Sequence, residues 1–288
     1  MEKRMLGKTG FKIAPVMFPG LACANQTQED SDKLVSDAID RGVDYFDVAR
    51  VYGDAELKLG ASLVPYRKNV YLATKTTSRD AAGAKEDLLS SLERLRTDYF
   101  DVYQIHHIHK ESDAQEIFAK DGAIETLLWA KKEGLARKIG ITAHNEEYAL
   151  QCLDIFEFDT VLYTMYWLPG VLRGLGDKLA AAAKDKGFGF LCMKVLTRRN
   201  WAEGETPPYK RQWYKPTEFG SSLALAAMKY SLSKGAASLV GPGYQEALAY
   251  MLDYIDEAIA NPLSQGDIEL LKAEAHKAAD LEFKMEEL

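Results

Sequence analysis

Residues 70–105 read VYLATKTTSRDAAGAKEDLLSSLERLRTDYFDVYQI, which is a short apolar run, a longer stretch with helical spacing and a second apolar run. The run VYLAT at 70–74 is apolar throughout and does not alternate with polar residues. Parallel strands that are buried on both faces have this pattern. The segment therefore predicts one strand–helix–strand unit of an α/β fold.

The same alternation continues in both directions along the chain. Eight runs are predicted to be strands, at 14–18, 43–48, 70–74, 101–105, 138–142, 159–163, 189–193 and 237–240. Segments with helical spacing lie between them, at 30–41, 82–96, 117–133, 145–155, 175–186, 221–233 and 244–259, with a short and weak one at 54–63. Eight such units in 288 residues favour a (β/α)₈ barrel, the TIM-barrel fold, over an open doubly wound sheet. No linker divides the chain, so residues 1–288 are expected to form a single domain.

Three segments lie outside this repeat. Residues 3–13 place Lys-Thr-Gly between apolar flanks and predict an N-terminal β-hairpin. Residues 265–287 are rich in Glu, Lys, Ala and Leu and predict an extra C-terminal helix. Residues 198–216 form a long connection with three prolines and four aromatic residues. Because this connection follows the seventh strand, it is expected at the C-terminal face of the barrel, as a lid or as an uncommitted mobile loop.

Composition excludes several classes of protein. The net charge of −7 and the pI of about 5.4 argue against binding to nucleic acid or to anionic membranes, since both need a basic surface. The three cysteines, Cys23, Cys152 and Cys192, are too few and too scattered for a disulfide framework or a Cys-based zinc site. The chain shows neither a signal peptide nor an apolar stretch of membrane-spanning length. We therefore expect a cytoplasmic protein; its oligomeric state cannot be read from the sequence.

Four polar residues follow predicted strands and are expected to converge, because strand ends meet at one face of a barrel. They are Asp47 and Tyr52 after the second strand, Lys75 after the third and His106 after the fourth. A tyrosine with a pKa near ~10 is a weak acid, but a nearby ammonium group lowers that pKa. Such a set can protonate a carbonyl oxygen as negative charge develops on it, while a cofactor supplies hydride.

The sequence resembles the aldo-keto reductases over essentially its full length. The matching stretches are GVDYFDVARVYGDAE (42–56), ATKT (73–76), TDYFDVYQIHHI (97–108), ARKIGIT (136–142) and GFLCMKVL (189–196). The resemblance implies that Tyr52 is the proton donor, that Lys75 adjusts its pKa, that Asp47 pairs with Lys75 and that His106 orients the substrate. It also implies an NADPH-dependent carbonyl reductase acting on a small-molecule aldehyde or ketone, with NAD as a possible cofactor.

The cofactor contacts that the resemblance implies are less well preserved. The family's Ser-Asn pair falls at Thr142–Ala143, its glutamine at about Leu162, and the tyrosine that stacks on nicotinamide at Met193. The loop at 241–246 has no cation, although its glycines allow phosphate to approach the backbone. The run Gly20-Leu21-Ala22 after the first strand either approaches the cofactor or forms an ordinary turn. The predicted cofactor-binding residues are Gly20, Thr142, Met193, Lys194, Leu196, Arg198, Gly241 and Gly243, and Arg199 is a further candidate for a phosphate contact.

Alternatives remain for several of these features. The departures from the family's cofactor pattern are compatible with a regulatory module that binds the cofactor and turns over slowly. The cluster of His106, His107 and His109 resembles a metal site only faintly, because no carboxylate or cysteine stands at ligand spacing, and no metal site is predicted. The aromatic residues Trp167, Trp201, Trp213 and Tyr214 either line the substrate pocket, which would suit an apolar substrate, or pack loops.

Overall fold

A computed structural model describes residues 1–207 and 214–282 of the chain. The chain begins with an antiparallel pair, β1 (Arg4–Met5) and β2 (Lys12–Ile13), which confirms the predicted hairpin. Leu6, Phe11 and Ile13 of this hairpin pack with side chains from inside the barrel. The hairpin therefore closes the end of the barrel at which the strands begin.

Eight parallel strands form the barrel, each hydrogen-bonded to its neighbours in chain order. They are β3 (Phe18–Pro19), β4 (Tyr45–Asp47), β5 (Tyr71–Thr76), β6 (Phe100–Ile108), β7 (Ala136–Ala143), β8 (Thr160–Thr164), β9 (Gly189–Met193) and β12 (Ser238–Val240). Val16 and Leu239 form a parallel bridge between the first and last of them, and the Met17 N–H donates to the Leu239 carbonyl at 3.0 Å. These contacts nearly close the sheet into the predicted (β/α)₈ barrel.

Helices surround the barrel and bury their apolar faces against its strands. They are α1 (Gln28–Asp40), α2 (Ala55–Leu63), α3 (Ala81–Arg94), α4 (Asp113–Ile117), α5 (Ala123–Lys132), α6 (Glu146–Ile155), α7 (Trp167–Arg173), α8 (Asp177–Lys186), α9 (Ser222–Ser233), α10 (Gln245–Ala260) and α11 (Gln265–Ala278). Side chains of Thr27, Asp80, Asn145 and Ser221 accept hydrogen bonds from the first turns of α1, α3, α6 and α9. These caps fix where the helices begin.

The helix predicted over residues 117–133 begins six residues later in the structure, because a short separate helix and a turn precede it. Helix α4 ends at Ile117 and α5 begins at Ala123, with Gly122 between them. A Cβ at Gly122 would lie only 2.3 Å from the Ile117 carbonyl oxygen, so this turn requires glycine. Helix α7 was not predicted, because its seven residues are too few to show helical spacing.

The two remaining segments of the chain have local structure. The C-terminal helix is confirmed as α11 and is followed by a single 3₁₀ turn at Ala279–Leu281; residues 283–288 lie outside the described range. In the long connection, β10 (Thr197–Arg199) pairs with β11 (Lys215–Pro216), so its two ends are joined as antiparallel strands. Within residues 1–207 and 214–282, no helix is both long enough and apolar enough to span a membrane.

Candidate active site

A cavity of about 340 Å³ opens where the barrel strands end. All eight strands, or the residues directly after them, contribute to its wall, which accords with the usual position of active sites in this fold. The predicted site residues that line it are Gly20, Asp47, Tyr52, Lys75, His106, Thr142, Met193, Lys194, Gly241 and Gly243. The structure thus brings most of them together.

Asp47 and Lys75 form a buried ion pair at the ends of β4 and β5. The Lys75 Nζ donates to Asp47 Oδ2 at 2.6 Å and to the Val48 carbonyl at 2.7 Å. The Gln104 amide on β6 donates to the other Asp47 oxygen at 3.1 Å. Burial lowers the pKa of Lys75, while the negative charge of Asp47 opposes that change. Sequence reasoning missed Gln104, although its position two residues before His106 on the same strand could have revealed it.

Tyr52 lies above this ion pair in the turn between β4 and α2. The Lys75 Nζ is 5.5 Å from the centre of the Tyr52 ring. The His106 ring meets the Tyr52 ring edge-on, with the two centres 6.1 Å apart. Gly53 continues the turn with a φ of 68°, a left-handed conformation that glycine adopts without strain. The four side chains are therefore adjacent and line one wall of the cavity.

The pKa of Tyr52 departs from the sequence-based expectation. Lys75 was expected to lower it, but burial raises the pKa of Tyr52 above its usual value and the charge of Asp47 raises it further. The physical reason is that the charge of Asp47, paired with Lys75 at 2.6 Å, offsets part of the ammonium group's effect, and burial outweighs the remainder. In the protein without ligands, Tyr52 is therefore fully protonated near neutral pH.

Three histidines line the cavity beside Tyr52. His106 and His107 lie near the end of β6, and His144 follows β7. Burial lowers the pKa of all three below the usual histidine value, to about 4 for His107. All three imidazoles are therefore neutral near pH 7. Sequence reasoning overlooked His144, although it follows a strand end as the other site residues do.

The loop after β6 is held in place by Asp113. One Asp113 oxygen accepts from Arg79 at 2.7 Å, and the other accepts from the backbone N–H groups of His109 and Lys110 at 2.7 and 2.8 Å. Arg79 also donates to the His107 carbonyl at 2.9 Å. Burial alone would raise the pKa of Asp113, but these hydrogen bonds lower it, so the carboxylate is charged at neutral pH. The network fixes the backbone that carries the histidines.

Three glycines line the cavity at the ends of the first and last barrel strands. A Cβ on Gly20 would lie 2.7 Å from the Asp47 carbonyl oxygen, and one on Gly243 would lie 2.8 Å from the Leu21 side chain. Gly241 lies two residues before Gly243 and lines the same cavity. Larger residues would displace the cavity wall at these positions, so the glycines are needed for its shape.

Four residues stand where the resemblance places contacts to the nicotinamide: Thr142, Ala143, Leu162 and Met193. One of them has a hydrogen-bond partner within the protein, and the other three are apolar. The Thr142 hydroxyl accepts a hydrogen bond from the backbone N–H of His107 at 2.8 Å. Ala143 is buried and, within the described chain, is not part of the cavity wall, whereas Leu162 and Met193 do line it. This part of the wall is therefore largely apolar.

Lys194 is the predicted cofactor-binding cation that the structure places at the cavity. It is only 8% exposed and adopts a left-handed backbone conformation with a φ of 60°. Burial lowers the pKa of Lys194 to about 7. Its protonation is therefore sensitive to a nearby anion.

The other predicted contacts after β9 are directed elsewhere. Leu196 is fully buried, and Arg198 pairs with Glu274 on α11 at 3.0 Å. Arg199 pairs with Glu205 at 2.7 Å. None of these three residues, all within the described chain, lines the cavity. The ion pairs explain this placement for the two arginines, because each guanidinium group already has a carboxylate partner.

The aromatic residues that could line the pocket divide into two groups. Tyr214 lines the cavity. Trp167 is fully buried in α7 and joins the core outside the barrel, and Trp201 lies near Lys215, whose Nζ is 5.7 Å from its ring centre. Trp213 lies outside the described residues. Within residues 1–207 and 214–282, no group of three or more His, Cys, Asp or Glu side chains is arranged to hold a metal ion.

Comparisons with known proteins agree with this geometry. The model of the Aldo/keto reductase family matches residues 17–273. The protein named Uncharacterized oxidoreductase YqkF from Bacillus subtilis (strain 168) is 33% identical in an alignment 315 positions long, which covers 95% of this chain and 96% of that protein. L-galactose dehydrogenase from Arabidopsis thaliana is 29% identical over 252 residues, which cover 82% of this chain and 76% of that protein. The structure of aldo-keto reductase AKR11C1 from Bacillus halodurans (holo form) has the same fold, with a TM-score of 0.74 and 20% identity over 100% of both chains. The chain belongs to the aldo/keto reductase family and is an NAD(P)H-dependent oxidoreductase.

Proposed function

We propose that this protein reduces an aldehyde or ketone to the alcohol with NADPH, and that Tyr52 donates the proton. The observation that carries the proposal is the buried Asp47–Lys75 pair, which lies next to Tyr52 and His106 in a cavity shaped by all eight strands. Burial shifts the pKa values of Lys75, Tyr52 and His106, and a cavity that gathers such groups is typical of proton-transfer sites.

The cavity fits a nicotinamide cofactor in its shape and chemistry. Leu162, Met193 and Val240 provide an apolar surface for a flat ring. The 241–244 segment lines the cavity and leads directly into α10, whose first backbone N–H groups favour phosphate. Lys194 adds a cation for a phosphate group. We propose NADPH over NADH because of this cation, with NADH as the weaker ligand. When bound, the cofactor supplies the hydride.

The side chains of the site have distinct roles in proton transfer. Tyr52 stays protonated in the empty cavity because burial raises its pKa, and it releases its proton once negative charge develops on the carbonyl oxygen. Lys75 stabilises the resulting tyrosinate, while Asp47 holds Lys75 in position. The neutral His106 donates a hydrogen bond to the carbonyl oxygen and orients it.

Deuterium transfer tests this proposal directly. The purified protein is incubated with a simple aldehyde and with NADPH deuterated at the nicotinamide C4, using each of the two C4 stereoisomers. We expect one stereoisomer to place deuterium on the alcohol carbon, as measured by mass spectrometry. Absence of deuterated alcohol with both stereoisomers, across aldehydes and ketones, would contradict the reductase function.

A second function is a regulatory module that binds the cofactor and turns over slowly. The engagement of the Thr142 hydroxyl by the His107 backbone, together with apolar Leu162 and Met193, favours it because few polar groups remain to orient a nicotinamide ring. Fluorescence quenching of the four tryptophans by NADPH and by NADH measures binding separately from turnover. Tight binding with negligible steady-state reduction would select the regulatory module over the reductase.

A further inference from the structure

Glu56 is a buried carboxylate to which the proposed proton transfer assigns no role. It stands in the first turn of α2, four residues after Tyr52, and its side chain is 0% exposed. Its Oε1 accepts from the Thr74 hydroxyl at 2.8 Å, and its Oε2 accepts from Arg94 Nε at 2.9 Å. Buried ion pairs are often no more stable than apolar residues of similar volume. Stability alone therefore gives little reason for a glutamate at this position.

A second carboxylate, mostly buried, has partners of the same kind. Asp87 on α3 accepts from the Thr76 hydroxyl at 2.6 Å and from Arg50 Nε at 2.8 Å. Ser78, which follows the strand, donates to the same Asp87 oxygen as Thr76 does, at 3.1 Å. Each carboxylate thus joins a threonine to an arginine. We call these sets the Glu56 bridge, made of Thr74, Glu56 and Arg94, and the Asp87 bridge, made of Thr76, Asp87 and Arg50.

Both bridges begin on β5, the strand that carries Lys75. Successive residues of a strand point to opposite faces. Lys75 lines the cavity, so Thr74 and Thr76 on either side of it point towards the surrounding helices, where the two carboxylates accept from them. Both threonines are fully buried. The backbone of Lys75 is therefore held from both sides.

Both bridges end on the turn that carries Tyr52. Arg94 donates through Nη2 to the carbonyl of Gly53, the residue after Tyr52, at 2.7 Å. Arg50 belongs to the turn itself and lies two residues before Tyr52. The two attachments flank Tyr52 along the chain, as the two threonines flank Lys75. The bridges therefore connect the segment that carries the proton donor with the segment that carries its cationic neighbour.

Helices α2 and α3 are in close backbone contact beside the Glu56 bridge. A Cβ on Gly60, one turn after Glu56, would lie only 2.5 Å from the Arg94 carbonyl oxygen. This approach places the end of α3 against α2, where Arg94 reaches both Glu56 and the turn before that helix. The bridge is part of a rigid helix contact and differs in this respect from ion pairs between flexible surface side chains.

Glu56 also acts on Lys75 through its charge. Burial lowers the pKa of Lys75, and the negative charges of Asp47 and Glu56 oppose that change. A charged ammonium group beside Tyr52 stabilises the tyrosinate that remains after proton transfer. Glu56 therefore supports the charge of Lys75 as well as the position of its strand.

We propose that Glu56 and Asp87 are positioning residues, which fix the Tyr52 hydroxyl relative to Lys75 through the two bridges. The inference rests on the proposed reductase function and adds two carboxylates that act through other residues. Proton transfer needs donor and acceptor within roughly 3 Å of each other, and a displacement of about 1 Å can lower the rate about a hundredfold. Bridges that join the two backbone segments directly oppose such a displacement.

Valine in place of the threonines removes the hydroxyls that begin the bridges and nearly preserves side-chain volume. We expect Thr74→Val/Thr76→Val to lower kcat for a simple aldehyde by about tenfold or more. KM and the NADPH affinity, measured by tryptophan fluorescence, should stay near their wild-type values. Thr74→Ser/Thr76→Ser keeps both hydroxyls and should retain most of kcat. Because Ser78 still holds Asp87, Thr74→Val alone should have a larger effect than Thr76→Val alone.

A buried threonine at the opposite end of the barrel separates positioning from stability. Thr9 in the N-terminal hairpin is 7% exposed, and its hydroxyl donates to the Leu6 carbonyl at 2.6 Å. Thr9→Val should lower the urea midpoint of unfolding, as each bridge substitution should, but leave kcat unchanged. Equal losses of kcat in Thr9→Val and in the double bridge variant would overturn the positioning role.

Fluorine spectra report on Tyr52 without turnover. With fluorine placed on the Tyr52 ring, Thr74→Val/Thr76→Val should shift or broaden the fluorine resonance, whereas Thr9→Val should not. An unchanged resonance in the double variant would overturn the proposal, and so would an unchanged kcat. Absence of aldehyde and ketone reduction by the wild-type protein, with deuterium transfer also absent, would mean that the proposed function has failed. The fluorine spectra would then decide by themselves whether the bridges hold Tyr52 in place.

Discussion

The cavity has two walls that differ in how tightly the protein holds them. The proton-transfer wall consists of Asp47, Tyr52, Lys75 and His106, where the ion pair is 2.6 Å long and buried. The cofactor wall consists of Met193, Lys194 and the 241–243 segment, which is glycine-rich and apolar apart from one lysine. The first wall contains an ion pair that is formed before any ligand binds, whereas the second provides a glycine-rich backbone and one cation whose pKa burial has lowered to about 7.

This difference indicates that the two walls have different functions. Proton transfer requires fixed geometry, because a displaced donor loses most of its effect. Cofactor binding can rely on backbone N–H groups and apolar contact, which many side chains permit. Substitutions in the proton-transfer wall should therefore reduce turnover strongly, whereas those in the cofactor wall should change affinity by smaller factors.

Tyr52→Phe should have the largest effect on turnover. Removing the hydroxyl deletes the proton donor, and we expect kcat to fall by about a thousandfold, within the range for general acid catalysis. NADPH affinity, measured by tryptophan fluorescence, should change little. Retention of more than a tenth of the wild-type kcat would remove Tyr52 from the mechanism.

Lys75→Met tests whether the proton-transfer wall is held by its buried ion pair. The substitution leaves Asp47 charged and buried, where the Lys75 side chain is 1% and the Asp47 side chain 7% exposed. Breaking such a pair costs about 3–5 kcal/mol of unfolding free energy. Urea denaturation measures this loss. The double variant Asp47→Asn/Lys75→Met should recover much of the stability without recovering activity; equal stability of the single and double variants would contradict the argument.

The sequence predicted the two walls unequally, and the structure explains why. Asp47, Lys75 and His106 could be found because each stands at the end of a strand, where side-chain position follows from strand register alone. His144 obeys the same rule and was overlooked. The left-handed backbone conformation of His107, with a φ of 62°, could not be foreseen, because it depends on Thr142 and Arg79, which are distant in sequence. Local spacing carries no information about such contacts.

The extent of the cofactor wall beyond Lys194 was less predictable for a related reason. The ion pairs of Arg198 with Glu274 and of Arg199 with Glu205 depend on side chains that come later in the chain. Because both arginines follow the seventh strand, they were expected near the cavity. Their carboxylate partners, however, determine where the guanidinium groups lie. The eight strands were predicted because their apolar runs are local signals, whereas the later start of the helix predicted over 117–133 depends on one close backbone contact at Gly122.

Lys194→Met should weaken cofactor binding by about tenfold or more, since one charge-assisted hydrogen bond to phosphate contributes roughly 1.5–3 kcal/mol. Fluorescence titration with NADPH and with NADH shows whether the lost contact is the phosphate that distinguishes them. Equal losses for both would place Lys194 at the shared pyrophosphate. The exposed Lys178 on α8 provides the control, and Lys178→Met should leave both affinities unchanged.

NADPH affinity should also fall as pH rises through neutrality. Burial lowers the pKa of Lys194 to about 7 in the free protein, and a bound phosphate raises it again. Below pH 7 the lysine is already protonated, so binding needs no proton; above pH 7 binding must take one up, and affinity declines by up to about tenfold per pH unit. Titrations at pH 6 and pH 8.5 measure the change. The same titrations on Lys194→Met should show a flatter profile; a slope as steep as that of the wild type would exclude Lys194 as its source.

The smallest effect is expected for Arg198→Ala and Arg199→Ala, which test whether the cofactor wall extends past Lys194. Both arginines follow the same strand as Lys194, and position alone would make them equal candidates for phosphate. In the structure each is paired with a carboxylate and neither lines the cavity, so we expect NADPH affinity to change by less than about twofold. If either variant lost tenfold or more, the arginine would have to leave its carboxylate when cofactor binds, and the cofactor wall would then be assembled by the ligand instead of being present beforehand. A loss for Arg198→Ala that Glu274→Gln does not reproduce would point to direct contact with phosphate, because breaking the ion pair from the other side leaves the guanidinium group in place.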